Sequence, residues 1–153
     1  MTDLLVRLYD WKSTERSTPE GVTIRRAFVA EKRLIANWVS KRFGERWASE
    51  CEVSFMRQPV SCFVAANDYE VLGFAVYDAT ARGFFGPTGV TEESRHKGIG
   101  QALLFATLHD MAAIGYAYAI IGAAGNVQFY EKSVGAIAIA NSSPGFYRGM
   151  LKS

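Results

Sequence analysis

The chain has 153 residues, a formal net charge of +2, 49% hydrophobic residues and 21% charged ones. That length suits one ordinary domain, and that balance suits one packed core and excludes a disordered chain. Lys and Arg are scattered in short pairs such as Arg25-Arg26 and Lys41-Arg42, so the near-neutral charge argues against nucleic acid as a partner.

The N-terminus lacks the basic, apolar and small-residue pattern of a signal peptide. No apolar run reaches the ~18 residues a membrane helix needs. The expectation is a cytoplasmic protein with no membrane partner, in which Cys51 and Cys62 are buried thiols.

Residues 1–153 read as one domain, opening with an N-terminal strand or arm and a loop over residues 1–21. Leu4, Val6 and Leu8 alternate with other residues, and the polar stretch 13–21 contains Pro19. Residues 22–29 have strand composition. Over residues 31–43, Leu34, Ile35, Trp38, Val39, Arg42 and Phe43 recur with helical spacing, and Gly44 is the stop. Residues 45–56 predict a second helix, with Trp47, Cys51 and Phe55 on one side and Pro59 ending the run. Residues 60–66 and 71–79 predict a hairpin turning at Asn67-Asp68.

Residues 84–90 are a further strand, in which Gly86-Pro87 marks a bulge or an edge, because proline cannot donate to the ladder. Residues 98–114 predict a long helix stopped by Gly115, and residues 116–121 an apolar strand. Residues 126–134 predict a short helix with Asn126 as N-cap and Gly135 as stop. Residues 136–140 and 146–151 read as a last strand pair. The element order is that of an α/β protein with a mixed sheet.

The strongest chemical feature lies where a strand ending at Val90 runs through a polar loop into a helix opened by Gly98 and Gly100. The first N–H groups of a helix have no internal partner, and the helix dipole adds positive charge there. A diphosphate fits such a terminus, and glycine lets the backbone approach it closely. Arg95, His96 and Lys97 add cations beside it. The glycine spacing is neither the dinucleotide fingerprint nor a P-loop. A strand–loop–helix with glycines for packing alone has the same spacing.

Arg95-x-x-Gly98-x-Gly100 followed by Ala102-Leu103-Leu104 resembles the acetyl-CoA loop of the GCN5-related N-acetyltransferases (GNAT). Phe129-Tyr130 with Gly135-Ala136, about thirty residues further on, resembles the second signature of that family. The resemblance implies a mixed, mostly antiparallel sheet of six or seven strands with about four helices, splayed between its central strands. It implies acetyl-CoA as cosubstrate, and the sequence shows no cluster of metal-ligating residues, so no metal is expected. The pyrophosphate would lie on Arg95, His96, Lys97, Gly98, Ile99, Gly100 and Gln101, the thioester carbonyl at the Val90 N–H, and the leaving thiolate at Tyr130 as general acid. Tyr130 also reads as a core aromatic beside Phe129.

Many relatives carry an asparagine seven residues before this tyrosine, where this chain has Ala123. Asn126 then reads first as a helix cap, with contact to the cofactor open. Glu50, Glu52, Asp78, Glu92 and Glu93 are all candidates to deprotonate an amine, and the sequence does not choose among them. His109 reads as a surface or packing residue. The expected reaction is direct acetyl transfer to a primary amine of a small-molecule acceptor, walled partly by Trp38, Phe43, Trp47, Phe55, Phe146 and Tyr147. The alternative is a non-catalytic acyl-CoA sensor of the same fold. Assembly as a homodimer is open.

Overall fold

The computed structural model describes residues 1–12 and 18–152. Strand β1 (Thr2–Arg7) precedes β2 (Val22–Arg26), and the loop expected over residues 13–21 lies partly outside the described residues. Two helices follow, α1 (Lys32–Phe43) and α2 (Glu45–Val53). Then come β3 (Cys62–Asn67), β4 (Glu70–Tyr77) and β5 (Phe84–Val90). Helix α3 (Ile99–Ala113), β6 (Tyr118–Ala124), α4 (Val127–Val134) and a short β7 (Ile137–Ala138) complete the chain.

The strands form one seven-stranded sheet in the order β2-β3-β4-β5-β6-β1-β7. Every pairing is antiparallel except β5 with β6. Strand alternation divides two cores. From β3 and β4, Phe63, Ala65, Ala75 and Tyr77 face α3, whereas Cys62, Val64, Phe74 and Val76 face α1 and α2. Helix α3 is apolar on most of its surface, with Ile99, Leu103, Leu104, Phe105, Leu108 and Met111 buried. It forms the centre of the first core, together with Leu4, Val6 and Leu8 of the N-terminal strand. Trp38 and Phe43 pack on Phe74 in the second core. They are core residues and not acceptor walls. Cys51 and Cys62 are buried free thiols as expected.

Two expectations about the elements are corrected. Helix α2 stops at Val53, short of residue 56 and well before Pro59, where the backbone bonds tighten to three-residue turns, Ser54 N to Cys51 O, Phe55 N to Glu52 O and Met56 N to Val53 O. Residues 146–151 form turns and no strand. The partner expected of them is replaced by β1, which lies between β6 and β7 and takes the hydrogen bonds of both. Of the two readings open for Gly86-Pro87, the bulge holds: the β4–β5 register slips between Ala75 and Tyr77, in the interior of the sheet.

One polar network ties the far half of the sheet to α3. Arg26 grips the Asp110 carboxylate with both terminal nitrogens, at 3.0 and 2.7 Å, and reaches Val60 O at 2.6 Å. Tyr77 donates to the same carboxylate at 2.6 Å. Burial pushes the Asp110 carboxyl up, but the bonds from Arg26 and Tyr77 outweigh it and hold the group below its ordinary value. A lowered carboxyl contributes stability above its unfolded range and loses it as pH falls through the folded value. Asp110→Ala is expected to cost about 2 kcal/mol at neutral pH, by stranding Arg26 and the Tyr77 hydroxyl. Urea unfolding at several pH values should show that deficit begin to shrink near pH ~4, where the unfolded carboxyl takes up its proton, and fade as pH falls through the lowered folded value.

Candidate active site

Strands β5 and β6 pair only at Phe84–Ile120 and Phe85–Ile121. Beyond that point they separate. Pro87 has no N–H to give, Gly86 takes a positive φ of 111°, and Ala123 on the facing strand has φ 47°. The far edge of β6 is paired with β1 from Tyr118 to Ile121 and again at Ala124, with the Asp3 carboxylate taking Ala123 N at the bulge between. The opening is therefore one-sided, and unpaired main-chain groups of β5 and β6 line it.

Val90 lies at the end of this open edge. Thr91 N donates to Leu72 O at 2.8 Å, and Gly89 pairs with Phe74. Antiparallel alternation then turns the N–H and C=O of Val90 away from β4, toward the gap. Arg95 Nε takes that carbonyl at 3.4 Å, and the N–H is left facing the opening. Arg95, His96, Lys97 and Gly98 are exposed, and Ile99 is buried as the anchor of the helix start. Gly98 adopts φ 83° as N-cap, with no side-chain cap on α3. The first helical bond runs from Ala102 N to Gly98 O, so the amides of Ile99, Gly100 and Gln101 lie ahead of the ladder. A Cβ on Gly100 would meet only the Val90 side chain, at 3.7 Å. Gln101 donates to Ser133 Oγ at 3.3 Å, which ties α3 to α4.

Tyr130 is 8% exposed, between Phe85 and Phe129. Burial pushes its phenol up to about 12. It lines a cleft of about 1230 Å³ together with Phe85, Gly86, Thr88, Ile121 and Asn126. Asn126 caps α4 by accepting from Phe129 N at 3.4 Å, as the sequence suggested. The exposed loop Arg95, His96, Lys97 and Gly98 borders this region but does not line the cleft.

The cleft continues past Tyr130 to α2 and the C-terminal segment, where Trp47, Glu50, Thr80, Tyr147 and Arg148 wall it. Among the acids considered, Glu50 alone lies on this wall. Asp78 does not line the cleft and is bonded to Arg57 and Tyr116, while Glu52, Glu92 and Glu93 are exposed elsewhere. Of the six aromatics expected there, Trp47 and Tyr147 reach the cleft; Phe55 is buried and Phe146 stacks on Phe84. His109 stacks on Trp11, away from the site.

Sequence reasoning missed Asp3. Its carboxylate accepts from Ala123 N at 2.7 Å and Phe146 N at 2.9 Å through one oxygen. Its main-chain carbonyl accepts from Ile139 N at 2.9 Å. One residue of β1 thus holds the kink in β6 and the segment that carries Tyr147.

The model of the Acetyltransferase (GNAT) family matches residues 23–136, most of the chain, and the chain belongs to this family. No curated protein matches the sequence. Similar solved structures include the glucosamine N-acetyltransferase region of a fungal multi-domain β-N-acetylglucosaminidase, at 16% identity and a TM-score of 0.74 over 90% of this chain and 19% of that one. A GCN5-related N-acetyltransferase from Sphaerobacter thermophilus is 21% identical, with a TM-score of 0.72 over 90% of this chain and 48% of that one. Another, from Kribbella flavida, is 22% identical, with a TM-score of 0.56 over 78% and 46%. The chain spans less than half the length of these neighbours, and at such identities they share its fold.

Asp3→Ala removes both carboxylate bonds and frees the C-terminal segment. The expected cost is about 1.5–3 kcal/mol in urea unfolding, together with faster proteolysis within residues 140–152 of the folded protein.

Proposed function

We propose that this chain is an N-acetyltransferase that moves the acetyl group of acetyl-CoA directly to a primary amine of a small-molecule acceptor. The observation that carries the reading is the separation of β5 from β6 beyond Phe85 and Ile121, with a helix N-terminus at one end of the opening and a buried tyrosine at the other. No metal is needed for this chemistry.

The free amides of Ile99, Gly100 and Gln101, with Arg95, His96 and Lys97 around them, would hold the pyrophosphate. The pantetheine arm would lie in the opening, past Asn126, and complete the ladder that β5 and β6 leave unfilled. The Val90 N–H is a fixed donor for the thioester oxygen, and such a donor stabilises the oxyanion without reorganising. The acceptor ammonium gives up one proton and its nitrogen attacks the carbonyl carbon. A C–N bond forms, the C–S bond breaks, and Tyr130 donates its proton to the sulfur. The nitrogen loses its second proton as the amide forms, which restores the phenol. The products are the N-acetyl amine, free CoA and one proton. A phenol pushed up to about 12 keeps its proton at neutral pH, as a general acid must.

Two outcomes are expected. Acetyl-CoA at ~100 times its Kd should stabilise the fold by roughly 2.7 kcal/mol in thermal unfolding. Gly100→Glu should fold normally, since its Cβ meets nothing closer than 3.7 Å, yet lose that shift because a carboxylate then occupies the anion site. An unchanged Tm for the wild type at millimolar acetyl-CoA would overturn the reading. Tyr130→Phe keeps its ring contacts and loses the hydroxyl. Its turnover, read as CoA released with an amine panel, should fall by ~10²–10⁴-fold while acetyl-CoA binding is unchanged. A sensor would show the thermal shift and release no CoA with any amine.

A further inference from the structure

The acceptor end of the cleft carries a charge pattern that no step above uses. Glu50 Oε1 accepts from Thr80 Oγ1 at 2.7 Å and from the Tyr147 hydroxyl at 2.5 Å. Each hydroxyl has a single proton, so both are spent on Glu50, and the 3.1 Å between the two oxygens is proximity alone. Burial, and then the bond to Glu50, push the Tyr147 phenol up to about 12, so it remains a donor at neutral pH. Both donors converge on one carboxylate oxygen and leave Oε2 for a ligand. The half-buried carboxylate is held in one orientation by two different elements of the wall.

Cations surround this single acid. Arg46, Arg148 and Lys152 line the same cleft. Among the described residues, none of the three is ion-paired with a carboxylate. Arg46 meets only Leu151 O at 3.5 Å, and Arg148 meets Ser143 O at 2.8 Å, so both guanidiniums keep donors to spare. A polyamine or a lysine-rich tail entering here would meet three like charges for one opposite charge. An acceptor with one ammonium and one anionic group would meet complementary charge at both ends.

We infer that the acceptor is a small amine that also carries a carboxylate or phosphate, with its ammonium seated on Glu50 and its anion on Arg46 and Arg148. The assignment rests on the acetyl transfer proposed above and names the class of molecule that reaction takes. Arginine suits the second contact, because its planar fork matches both carboxylate and phosphate. Glu50 Oε2 would accept the first proton from the ammonium and pass it to solvent.

Matched pairs of acceptors test the inference. An amino acid is compared with its C-terminal amide, an amino sugar phosphate with the unphosphorylated sugar, and spermidine serves as the cationic control. Each is measured as kcat/KM from released CoA, and as binding by calorimetry to protein saturated with CoA. The better of the two anionic acceptors should exceed its neutralised partner by about tenfold or more, and which pair responds tells carboxylate from phosphate. The double variant Arg46→Gln/Arg148→Gln should erase most of that preference, and Glu50→Gln should weaken every amine. Neither change should reduce the thermal shift with acetyl-CoA. Equal rates within both pairs, a higher rate for spermidine, or a preference that survives the double variant would overturn the inference. If no acceptor is acetylated but calorimetry retains the preference, the transfer reaction fails and the ligand class stands. If neither turnover nor binding is seen, both fail.

Discussion

A parallel pairing that lasts two residues shapes everything in this molecule that bears on chemistry. Strands β5 and β6 meet at Phe84–Ile120 and Phe85–Ile121 and then part. An unpaired edge in the middle of a sheet strands polar main-chain groups, which folded proteins rarely tolerate without a partner. Here the rest of the fold sustains the opening. On one side β4 pairs with β5 beyond its bulge as far as Gly73–Val90, and on the other β1 pairs with β6 on both sides of a bulge between Thr2 and Leu4, where the Asp3 carboxylate takes Ala123 N. Across the top, α3 packs its apolar residues on β3 and β4 and presents its bare N-terminus at the mouth. The gap is an absence of pairing held open by two strands that are themselves well paired.

The position of β1 explains the acceptor end. By inserting between β6 and β7, the N-terminal strand occupies the place where a C-terminal strand would otherwise lie. Residues 146–151 are released from the sheet and wrap across the cleft in turns. Asp3 fixes that wrap, because one carboxylate oxygen holds both the kink at Ala123 and the start of the segment at Phe146. Tyr147 and Arg148 therefore stand over the cleft as a consequence of an interaction made by residue 3.

What was legible in the sequence divides along the same line. Local features were readable. The glycines at 98 and 100 announce a helix terminus open to anions, Asn126 and Gly135 delimit α4, and Gly86-Pro87 announces a break in pairing. Each depends on backbone chemistry within a few residues. The pairing of β1 was not readable, because Leu4, Val6 and Leu8 alternate in the same way whether they lie at an edge or inside a sheet. Neighbouring segments 136–140 and 146–151 invited a hairpin, and a strand more than a hundred residues distant competed successfully for the same hydrogen bonds. Glu50 was one acid among five for the same reason. Only the packing of α2 against the end of the sheet separates it from Glu52, two residues away and exposed.

The two halves of the cleft are built from different material, and that difference has a physical logic. The features proposed to take the cofactor are main chain: bare helix amides and a strand N–H turned outward beside the cleft, and a proline within it that cannot pair. Such donors are positioned by secondary structure and survive wide changes in side chains, which suits a cosubstrate shared across a family. The part proposed to take the acceptor is side chain: Glu50, Thr80, Tyr147 and the arginines around them, placed by α2 and a turn-rich segment. Side chains on such segments change without disturbing the sheet, so one fold can keep its donor site and vary the molecule it recognises. Tyr130 stands where the halves meet, buried by aromatic neighbours that belong to the core. Its position is thus set by packing, and the proposed transfer asks of it only the hydroxyl proton.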